Sequence, residues 1–398
     1  MEQTNIQQSP GAVSEDGPDI FQVPKHIIDK EHSYEEDGIH SYFRHSQSYS
    51  KYAKDTVIGG EIIINKAKKV ILDCDPGGDD AQALVLAFHL AKKLGIEIIG
   101  VTTVAGNAVL EQVVWNAQMC MTTCEVPLSV PLLRGEELGG GVKGKELAEY
   151  FYGPDGFGGT LLEYQKENPT APRPHLIEDE SAVDFLIRIT KEQPGEITII
   201  CLAPLSNLSV AQKKDPLFAT RVKDLVILGG TYLAQGNTDY YCSEFNFFKD
   251  PEAAQHVFDD FSDIVMVPVE ACRVFRGMPK DIVEKPFIQT QTKRGKLVYD
   301  SFRVAFRNLR NHYETNDPLA VAIAMMPELA QEVIEKCCYV EAKGKFTKGM
   351  VFIDWHELMP QQSKDHHANK NPRRPVKIVT QVKIMEIMEL LMESVLIE

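Results

Sequence analysis

The sequence lacks a long apolar run, an excess of basic residues, and the cysteine spacing of a disulfide scaffold or a zinc site. No segment of the 398 residues is apolar over a length that would span a bilayer, so no membrane association is predicted. The 57 Asp and Glu residues outnumber the 42 Lys and Arg residues, which gives a net charge of −15. This balance disfavours nucleic acid as the main partner and favours a small molecule.

The cysteines and the N-terminal residues indicate where the protein works. Eight cysteines are scattered along the chain without paired spacing to histidines, which is typical of reduced thiols. Residues 1–19 are polar and acidic and do not have the pattern of a secretory signal, so we expect a cytoplasmic protein. Residues 1–60 show little apolar periodicity and are expected to form a flexible tail before one domain at 65–398.

From residue 69 onward, short apolar runs alternate with patterns of helical period. Runs of this kind predict strands at 69–74, 96–104, 197–202, 224–228, 264–269, 338–341, 350–354 and 376–382. Helices are predicted at 79–93, 108–123, 176–192, 204–213, 279–311, 316–326 and 385–395. The Gly- and Pro-rich interval 135–174 is expected to lie above the sheet. This alternation predicts an α/β fold, with a mostly parallel, open, Rossmann-like central sheet and helices on both faces.

Four acidic residues crowd the loop after the first predicted strand, in the segment DCDPGGDD at 73–80. Carboxylates this close repel one another in a dry site unless a cation neutralises them, and oxygen-only ligands favour Ca²⁺ or Mg²⁺. Alternatively, the acids face water and Asp79 and Asp80 favour the next helix through its dipole. We prefer the metal site because the strand is apolar enough to be interior, and ligands bind at strand ends in open α/β sheets.

Two enzymatic chemistries use such a loop. Phosphoryl transfer of the haloacid dehalogenase kind would use Asp73 and Asp75, but it requires Thr or Val where this chain has Gly77. In metal-assisted glycoside hydrolysis, the segment DCDPGGDDAQAL resembles the signature of the nucleoside hydrolases, the inosine-uridine nucleosidase family. Further segments resemble this family in the family's order: VTTVAGNAVLEQVVWNA, FYGPDGFGG, APLSNL, VILGG, GNTDYYCSEFNFFKDPEAA, NDPLAVA and TKGMVFID.

The resemblance implies an enzyme that hydrolyses the N-glycosidic bond of ribonucleosides to ribose and a free base. It implies a Ca²⁺ ion whose shell includes the ribose diol, a water and four protein ligands: Asp75, Asp80, Asp317 and the backbone carbonyl of Leu202. Asp75 would deprotonate the bound water, and Asn107 is implied as a second catalytic residue. Contacts to the ribose are implied at Asp79, Asn107, Asn237, Glu244 and Asn246. The resemblance also implies a homodimer or homotetramer.

The sequence departs from the family pattern where the leaving base is protonated. Family histidines are replaced by Tyr152, Arg273 and Asn316, and an amide cannot act as a general acid at neutral pH. Tyr152 and Asn316 are retained as predicted substrate-binding residues. The proton would come from Tyr152, from His312, from a water chain or from a stacked base of raised proton affinity. A slow or silent relative that only binds a nucleoside-like ligand is the first alternative, and a dehalogenase-type phosphatase is the second.

Overall fold

The computed structural model of the protein contains a central nine-stranded sheet. The structure describes residues 62–137, 148–239, 241–309, 311–356 and 375–397, so the tail expected at 1–60 lies outside the described residues. The strands of this sheet are Lys69–Cys74 (β1), Glu97–Thr103 (β2), Leu132–Leu133 (β3), Leu176–Ile177 (β4), Ile197–Cys201 (β5), Asp224–Leu228 (β6), Ile264–Val267 (β7), Ala330–Lys336 (β8) and Val376–Val382 (β11). A separate antiparallel hairpin consists of Cys338–Val340 (β9) and Val351–Ile353 (β10).

The strand order is β4-β3-β2-β1-β5-β6-β7-β11-β8. Every neighbouring pair is parallel except β11 and β8, which are antiparallel. The chain moves from β1 outward through β2, β3 and β4, and then returns to the other side of β1 to form β5. This reversal opens a crevice at the carboxyl ends of β1 and β5, the usual position of a ligand site in an open α/β sheet.

Helices cover both faces of the sheet, as the sequence predicts. They are Gly78–Leu94 (α1), Leu110–Thr123 (α2), Glu149–Tyr152 (α3), Thr160–Glu167 (α4), Ala182–Glu192 (α5), Ser206–Lys214 (α6), Phe218–Arg221 (α7), Phe245–Lys249 (α8), Pro251–Asp260 (α9), Val269–Cys272 (α10), Lys280–Gln289 (α11), Lys293–Asn308 (α12), Asp317–Met325 (α13) and Ile384–Leu396 (α14), with 3₁₀ turns at Arg273–Gly277 and Pro327–Leu329. Across the described ranges, no helix is both long and apolar enough to cross a bilayer.

Burial explains why the first strand and the late small-residue helix lie at the centre. In β1 every residue after Lys69 is buried, as expected for a strand covered on both faces. The helix α13 has the sequence DPLAVAIAM and is buried along its whole length, because its mostly small and apolar residues allow close packing against α1. This packing brings the first turns of α1 and α13, both of which carry acidic residues, to the same end of the sheet.

The main errors of the sequence prediction concern short sheet elements. The helix predicted at 176–192 was wrong over its first part, because Leu176–Ile177 pairs with β3 as an edge strand. The helix begins at Ala182, where the Ser181 side chain accepts a hydrogen bond from the Asp184 backbone N–H. The interval 279–311 contains two helices, α11 and α12, and β8 was not predicted. The predicted α/β class and the mostly parallel sheet are confirmed.

Candidate functional site

Asp75 lies in the loop at the carboxyl end of β1 and is completely buried. Its Oδ2 accepts a hydrogen bond from the Asn107 backbone N–H at 2.7 Å, whereas its Oδ1 has no hydrogen-bond partner among the described residues. The close approach requires glycine at position 106, since a Cβ there would lie 1.9 Å from Asp75 Oδ2. One carboxylate oxygen is therefore fixed, and the other is available to a ligand.

Asp80, in the first turn of α1, is joined to Asp75 through Asn107. The Asn107 side-chain amide donates to Asp80 Oδ2 at 3.0 Å and to the Asp75 carbonyl at 3.2 Å. Asp80 also accepts backbone hydrogen bonds from Asp75 at 3.2 Å and Gly77 at 3.0 Å. Asn107 thus holds two predicted metal ligands in a fixed relation.

The third predicted carboxylate ligand, Asp317, meets this loop from the start of α13. Oxygens of Asp79, Asp80 and Asp317 lie within 4.8 Å of one another, and all three residues are buried. The structure therefore brings the predicted ligands Asp80 and Asp317 together, and their carboxyl groups interact electrostatically. Asp75 lies outside this group of three, although it interacts electrostatically with Asp80.

Burial and mutual repulsion raise the carboxyl pKa values in this cluster. For Asp80, desolvation and then the charge of Asp79 raise the pKa to about 7. For Asp75 and Asp317, desolvation raises the pKa well above its ordinary value, and neighbouring acids raise it further. Buried oxygen ligands that repel one another, with an unpartnered oxygen on Asp75, fit a hard divalent cation.

The predicted carbonyl ligand, Leu202, follows the end of β5. Its carbonyl oxygen accepts a hydrogen bond from Asn246 Nδ2 at 2.9 Å, and the same amide also donates to the Leu228 carbonyl at 3.3 Å. A carbonyl oxygen has two lone pairs, so this hydrogen bond leaves room for a second interaction. Asn246, which is predicted to contact the ribose, therefore links the ends of two central strands.

Glu244 caps the N-terminus of α8 from a buried position. Its Oε1 accepts from the Asn246 N–H at 2.9 Å, and its Oε2 accepts from the Gly230 N–H at 3.1 Å and the Phe247 N–H at 3.2 Å. Burial raises the Glu244 pKa to about 7, although these backbone donors act in the opposite direction. Asn237 is exposed, and its Oδ1 accepts a hydrogen bond from the Phe245 N–H at 2.9 Å. Asn237 therefore lies at the N-terminus of α8, where Glu244 is the capping residue.

The two residues that replace family histidines near the acids both interact with Asp79. Asn316 Nδ2 donates to Asp79 Oδ2 at 3.3 Å, and the Tyr152 hydroxyl interacts with the same carboxylate. Burial and then the charges of Asp79 and Asp317 raise the Tyr152 pKa well above its ordinary value. His312 is half-buried, and its Nε2 lies 3.6 Å from Glu314 Oε2, outside this cluster.

Two residues near the site, Asp73 and Asn116, have roles in the structure that sequence reasoning did not predict. Asp73 Oδ1 accepts from Thr102 Oγ1 at 2.6 Å and from Asn207 Nδ2 at 2.7 Å, whereas its Oδ2 has no hydrogen-bond partner among the described residues. Asn116 Nδ2 donates to the Pro76 carbonyl at 2.8 Å and to the Asp155 carbonyl at 2.9 Å. These contacts join residues that are far apart in the sequence, so no local pattern could have revealed them.

Known proteins match most of the chain in sequence and in fold. A family model described as inosine-uridine preferring nucleoside hydrolase matches residues 70–389. Uridine nucleosidase 1 of Arabidopsis thaliana is 32% identical over 275 residues, which cover 67% of this chain and 76% of that protein. The inosine-uridine preferring nucleoside hydrolase of Leishmania major is 30% identical over 311 residues, 76% of this chain and 93% of that protein. The solved structure of a plant nucleoside hydrolase, the PpNRh1 enzyme, has a TM-score of 0.68 and 28% identity, and the match covers 83% of this chain and 99% of that chain.

Proposed function

The chain belongs to the inosine-uridine preferring nucleoside hydrolase family, and from this premise we propose that it hydrolyses the N-glycosidic bond of ribonucleosides to ribose and a free base. The observation that carries the proposal is the buried group of Asp79, Asp80 and Asp317, together with Asn107, which links Asp80 to the buried Asp75. Membership of this family leaves the dehalogenase-type phosphatase without support.

The proposed cofactor is Ca²⁺, held by Asp75, Asp80, Asp317 and the Leu202 carbonyl. This set fits because all donors are oxygens, the carboxylates are buried, and Asp75 Oδ1 has no partner among the described residues. When bound, the ion would neutralise the acids, bind the sugar diol and make a water easier to deprotonate. Without a cation, burial and mutual repulsion favour the protonated acids, as their raised pKa values indicate.

Asp75 is the proposed general base. Its Oδ2 is fixed by the Asn107 N–H, so Oδ1 is the oxygen that can accept a proton from the attacking water. That water attacks C1′ while the bond to the base breaks through an oxocarbenium-like state. Asn107 acts on this step by orienting the Asp75 carboxylate, and its amide also orients Asp80.

Binding of the ribose is proposed for Asp79, Asn107, Asn237, Glu244 and Asn246. Asp79 and Glu244 are buried carboxylates that can accept hydrogen bonds from sugar hydroxyls. The side-chain oxygens of Asn107 and Asn246 can also accept, since the Nδ2 group of each already donates twice within the protein. Glu244 already accepts one backbone N–H at Oε1 and two at Oε2, which fixes the direction of its remaining lone pairs. A site fixed in this way orients the sugar before the bond breaks.

Efficient catalysis requires a group that protonates the departing base, and catalysis is slow without one. Tyr152 is a weak general acid, because burial and then the charges of Asp79 and Asp317 raise its pKa well above the ordinary phenol value. Asn316 carries no acidic proton and donates to the Asp79 carboxylate. These contacts favour, as the second candidate, a slow or silent relative that binds a nucleoside or ribose. They also favour a water chain, or a stacked base of raised proton affinity, in place of Tyr152 as the means of protonating the leaving base.

The proposal includes three further statements about the whole protein. Residues 65–398 form the catalytic domain, the protein works in the cytoplasm, and it assembles as a homodimer or homotetramer. The buried thiols of Cys74, Cys120 and Cys201 support a reducing compartment, since each is a free cysteine inside the central sheet or an adjoining helix.

The experiment is a substrate assay on the purified full chain after treatment with a chelator. Inosine, uridine, adenosine and cytidine are supplied with Ca²⁺ or with chelator, and release of reducing sugar is measured, with p-nitrophenyl phosphate as a control substrate. We expect sugar release that requires Ca²⁺ and is lost in Asp75→Ala but kept in Asp184→Ala, which removes an exposed acid. Binding of ribose without turnover would support the silent relative, and release of phosphate would contradict both.

A further inference from the structure

A carboxylate outside the acidic cluster holds the loop that precedes Glu244. Residues 231–239 are here named the Asn237 loop. Glu270, on α10 just after β7, accepts three backbone hydrogen bonds from it. Its Oε1 accepts from Leu233 N–H at 2.9 Å and from Gln235 N–H at 3.2 Å, and its Oε2 accepts from Tyr232 N–H at 3.2 Å. One side chain therefore fixes three amides of a nine-residue loop.

The backbone of the loop is shaped to surround that carboxylate. Ala234 has a φ of 56°, in the left-handed region that non-glycine residues rarely adopt. A left-handed residue among right-handed or extended neighbours turns successive N–H groups toward one point, which forms a concave anion-binding nest. Here the anion is the Glu270 carboxylate, so the strain at Ala234 is maintained by the hydrogen bonds on either side of it.

Arg273 holds the second half of the same loop. Its Nη1 donates to Gln235 Oε1 at 2.9 Å, and its Nη2 donates to the Gly236 carbonyl at 2.8 Å, one residue before Asn237. Arg273 occupies a position at which the resemblance noted above expects a histidine. The structure gives its guanidinium two partners in the loop, rather than a partner among the site acids.

From the loop, Asn237 reaches the start of α8. Its side-chain oxygen accepts from the Phe245 N–H, and its backbone N–H donates to the Ser243 carbonyl at 3.2 Å. Glu244, between these two residues, is the buried carboxylate proposed to contact the ribose. The position of the exposed loop therefore determines where Asn237 stands relative to Glu244.

We propose that Glu270 and Arg273 are positioning residues, which hold the Asn237 loop so that Asn237 and Glu244 together bind the sugar. This inference rests on the proposed function where it concerns the sugar, and on the hydrogen bonds alone where it concerns the loop. Both residues act through Asn237 and do not contact the reacting atoms.

The test of the loop is hydrogen exchange on the full chain. In the wild type, the amides of Tyr232, Leu233 and Gln235 are expected to be protected. In Glu270→Gln and Arg273→Gln, exchange in the loop is expected to rise by about tenfold or more. The matched control is Arg276→Gln, which removes a cation from the same 3₁₀ turn but breaks an ion pair with Glu314 at 2.9 Å. Equal exchange in the wild type and both loop variants would overturn the proposal.

The test of the sugar contact is a separation of KM from kcat. Both loop variants are expected to raise the nucleoside KM by about tenfold and to change kcat by less than about twofold, because they weaken binding without removing the base Asp75. Arg273→Lys, which keeps a donor for the Gly236 carbonyl, is expected to recover part of the loss. In Arg273→Gln/Asn237→Ala, the two effects on KM should not multiply, since one residue acts through the other. An unchanged KM, an equal effect of Arg276→Gln, or fully multiplied effects would refute the positioning role.

A failure of the proposed nucleoside hydrolysis can be distinguished from a failure of the positioning role of Glu270 and Arg273. If the wild type releases no sugar, calorimetric binding of ribose replaces KM as the readout, and the exchange experiment still decides whether Glu270 and Arg273 hold the loop. Weaker ribose binding in the two loop variants than in Arg276→Gln supports the proposal. Equal ribose binding, or none in the wild type, overturns its sugar-binding part.

Discussion

Two acid-rich regions of the molecule differ in how their carboxylates are compensated. On the surface formed by α5, α6 and α7, the chain itself supplies the cations: Asp184 lies 2.5 Å from Lys214, and Asp215 lies 2.9 Å from Lys191 and 2.7 Å from Arg221. At the end of β1, no Lys or Arg is found in an ion pair with the acids Asp75, Asp80 or Asp317 among the described residues. Lys and Arg side chains of the chain itself compensate the acids of the first region but not those of the second.

The pKa values change in opposite directions in the two regions. Hydrogen bonds from Lys191 and then Arg221 lower the Asp215 pKa to about 2, whereas burial raises the Asp80 pKa to about 7. An acid with a lowered pKa favours its charged form, so it stabilises the fold as it stands. An acid with a raised pKa is held in place by the surrounding structure at a cost in stability, which is typical of functional sites. The sign of the shift therefore separates the site from the surface.

The largest effect that would test this comparison is expected for Asp317→Asn. Asparagine retains the shape of the side chain but removes a negative charge from the proposed cation site. We expect Ca²⁺ affinity and kcat/KM for nucleosides each to fall by about 10²-fold or more. Calorimetric Ca²⁺ titration and sugar release measure the two effects. The chemically identical change Asp184→Asn is the control, and a similar loss in both variants would remove the distinction between the two regions.

The strands were predictable where they are buried and apolar, and were missed where they are very short or carry charged residues. Strands such as Lys69–Cys74 and Asp224–Leu228 were predicted at their observed bounds, because buried parallel strands are continuous apolar runs. The two-residue strands at Leu132–Leu133 and Leu176–Ile177 were missed, because two residues carry no periodicity. The antiparallel strand Ala330–Lys336 was also missed, since its interleaved charged residues weaken the apolar signal.

The site was predictable to the extent that its residues lie in sequence motifs. The resemblance identified Asp75, Asp80, Asn107 and Asp317, and in the structure Asn107 links Asp75 to Asp80, which lies beside Asp317. Their roles toward the metal and the sugar remain predictions. The support that Glu270 gives the Asn237 loop was not predictable, because it depends on three backbone N–H groups that the fold brings to one carboxylate. No spacing in the sequence encodes that geometry.

A smaller effect is expected in the pH dependence of stability without metal. Asp80 and Glu244 have pKa values of about 7 in the folded protein, against ordinary values of 3.8 and 4.5. The folded state thus binds more protons than the unfolded state between about pH 4 and 7, so stability is highest at the acid side and falls as pH rises through 7. In chelator, Tm should therefore decrease from pH 5 to pH 8, and excess Ca²⁺ should reduce or reverse the decrease.

Asp317→Asn sharpens this measurement. It removes one charge that repels Asp80, and the new amide can donate a hydrogen bond to the Asp80 carboxylate. The decrease of Tm with pH in chelator should accordingly be smaller in the variant than in the wild type. A Tm in the metal-free wild type that stays constant or rises from pH 5 to pH 8 would contradict the assignment of uncompensated acids to this cluster.

The smallest effect is expected for Asp184→Asn, where the dependence on pH has the opposite sign. A hydrogen bond from Lys214, and then one from Ser181, lower the pKa of the Asp184 carboxyl below its ordinary 3.8. The stabilisation is therefore present above about pH 4 and is lost as pH falls through the folded pKa. Because the pair is half exposed, the free energy of unfolding should fall by less than about 1 kcal/mol at pH 7, with unchanged sugar release. Urea unfolding at pH 7 and pH 4 measures this, and since solvent and salt already screen the pair, 1 M NaCl should remove most of the difference between variant and wild type. A loss that persists in high salt would mean that Asp184 is as poorly screened as the acids of the site, and the two regions would then not differ in the way described.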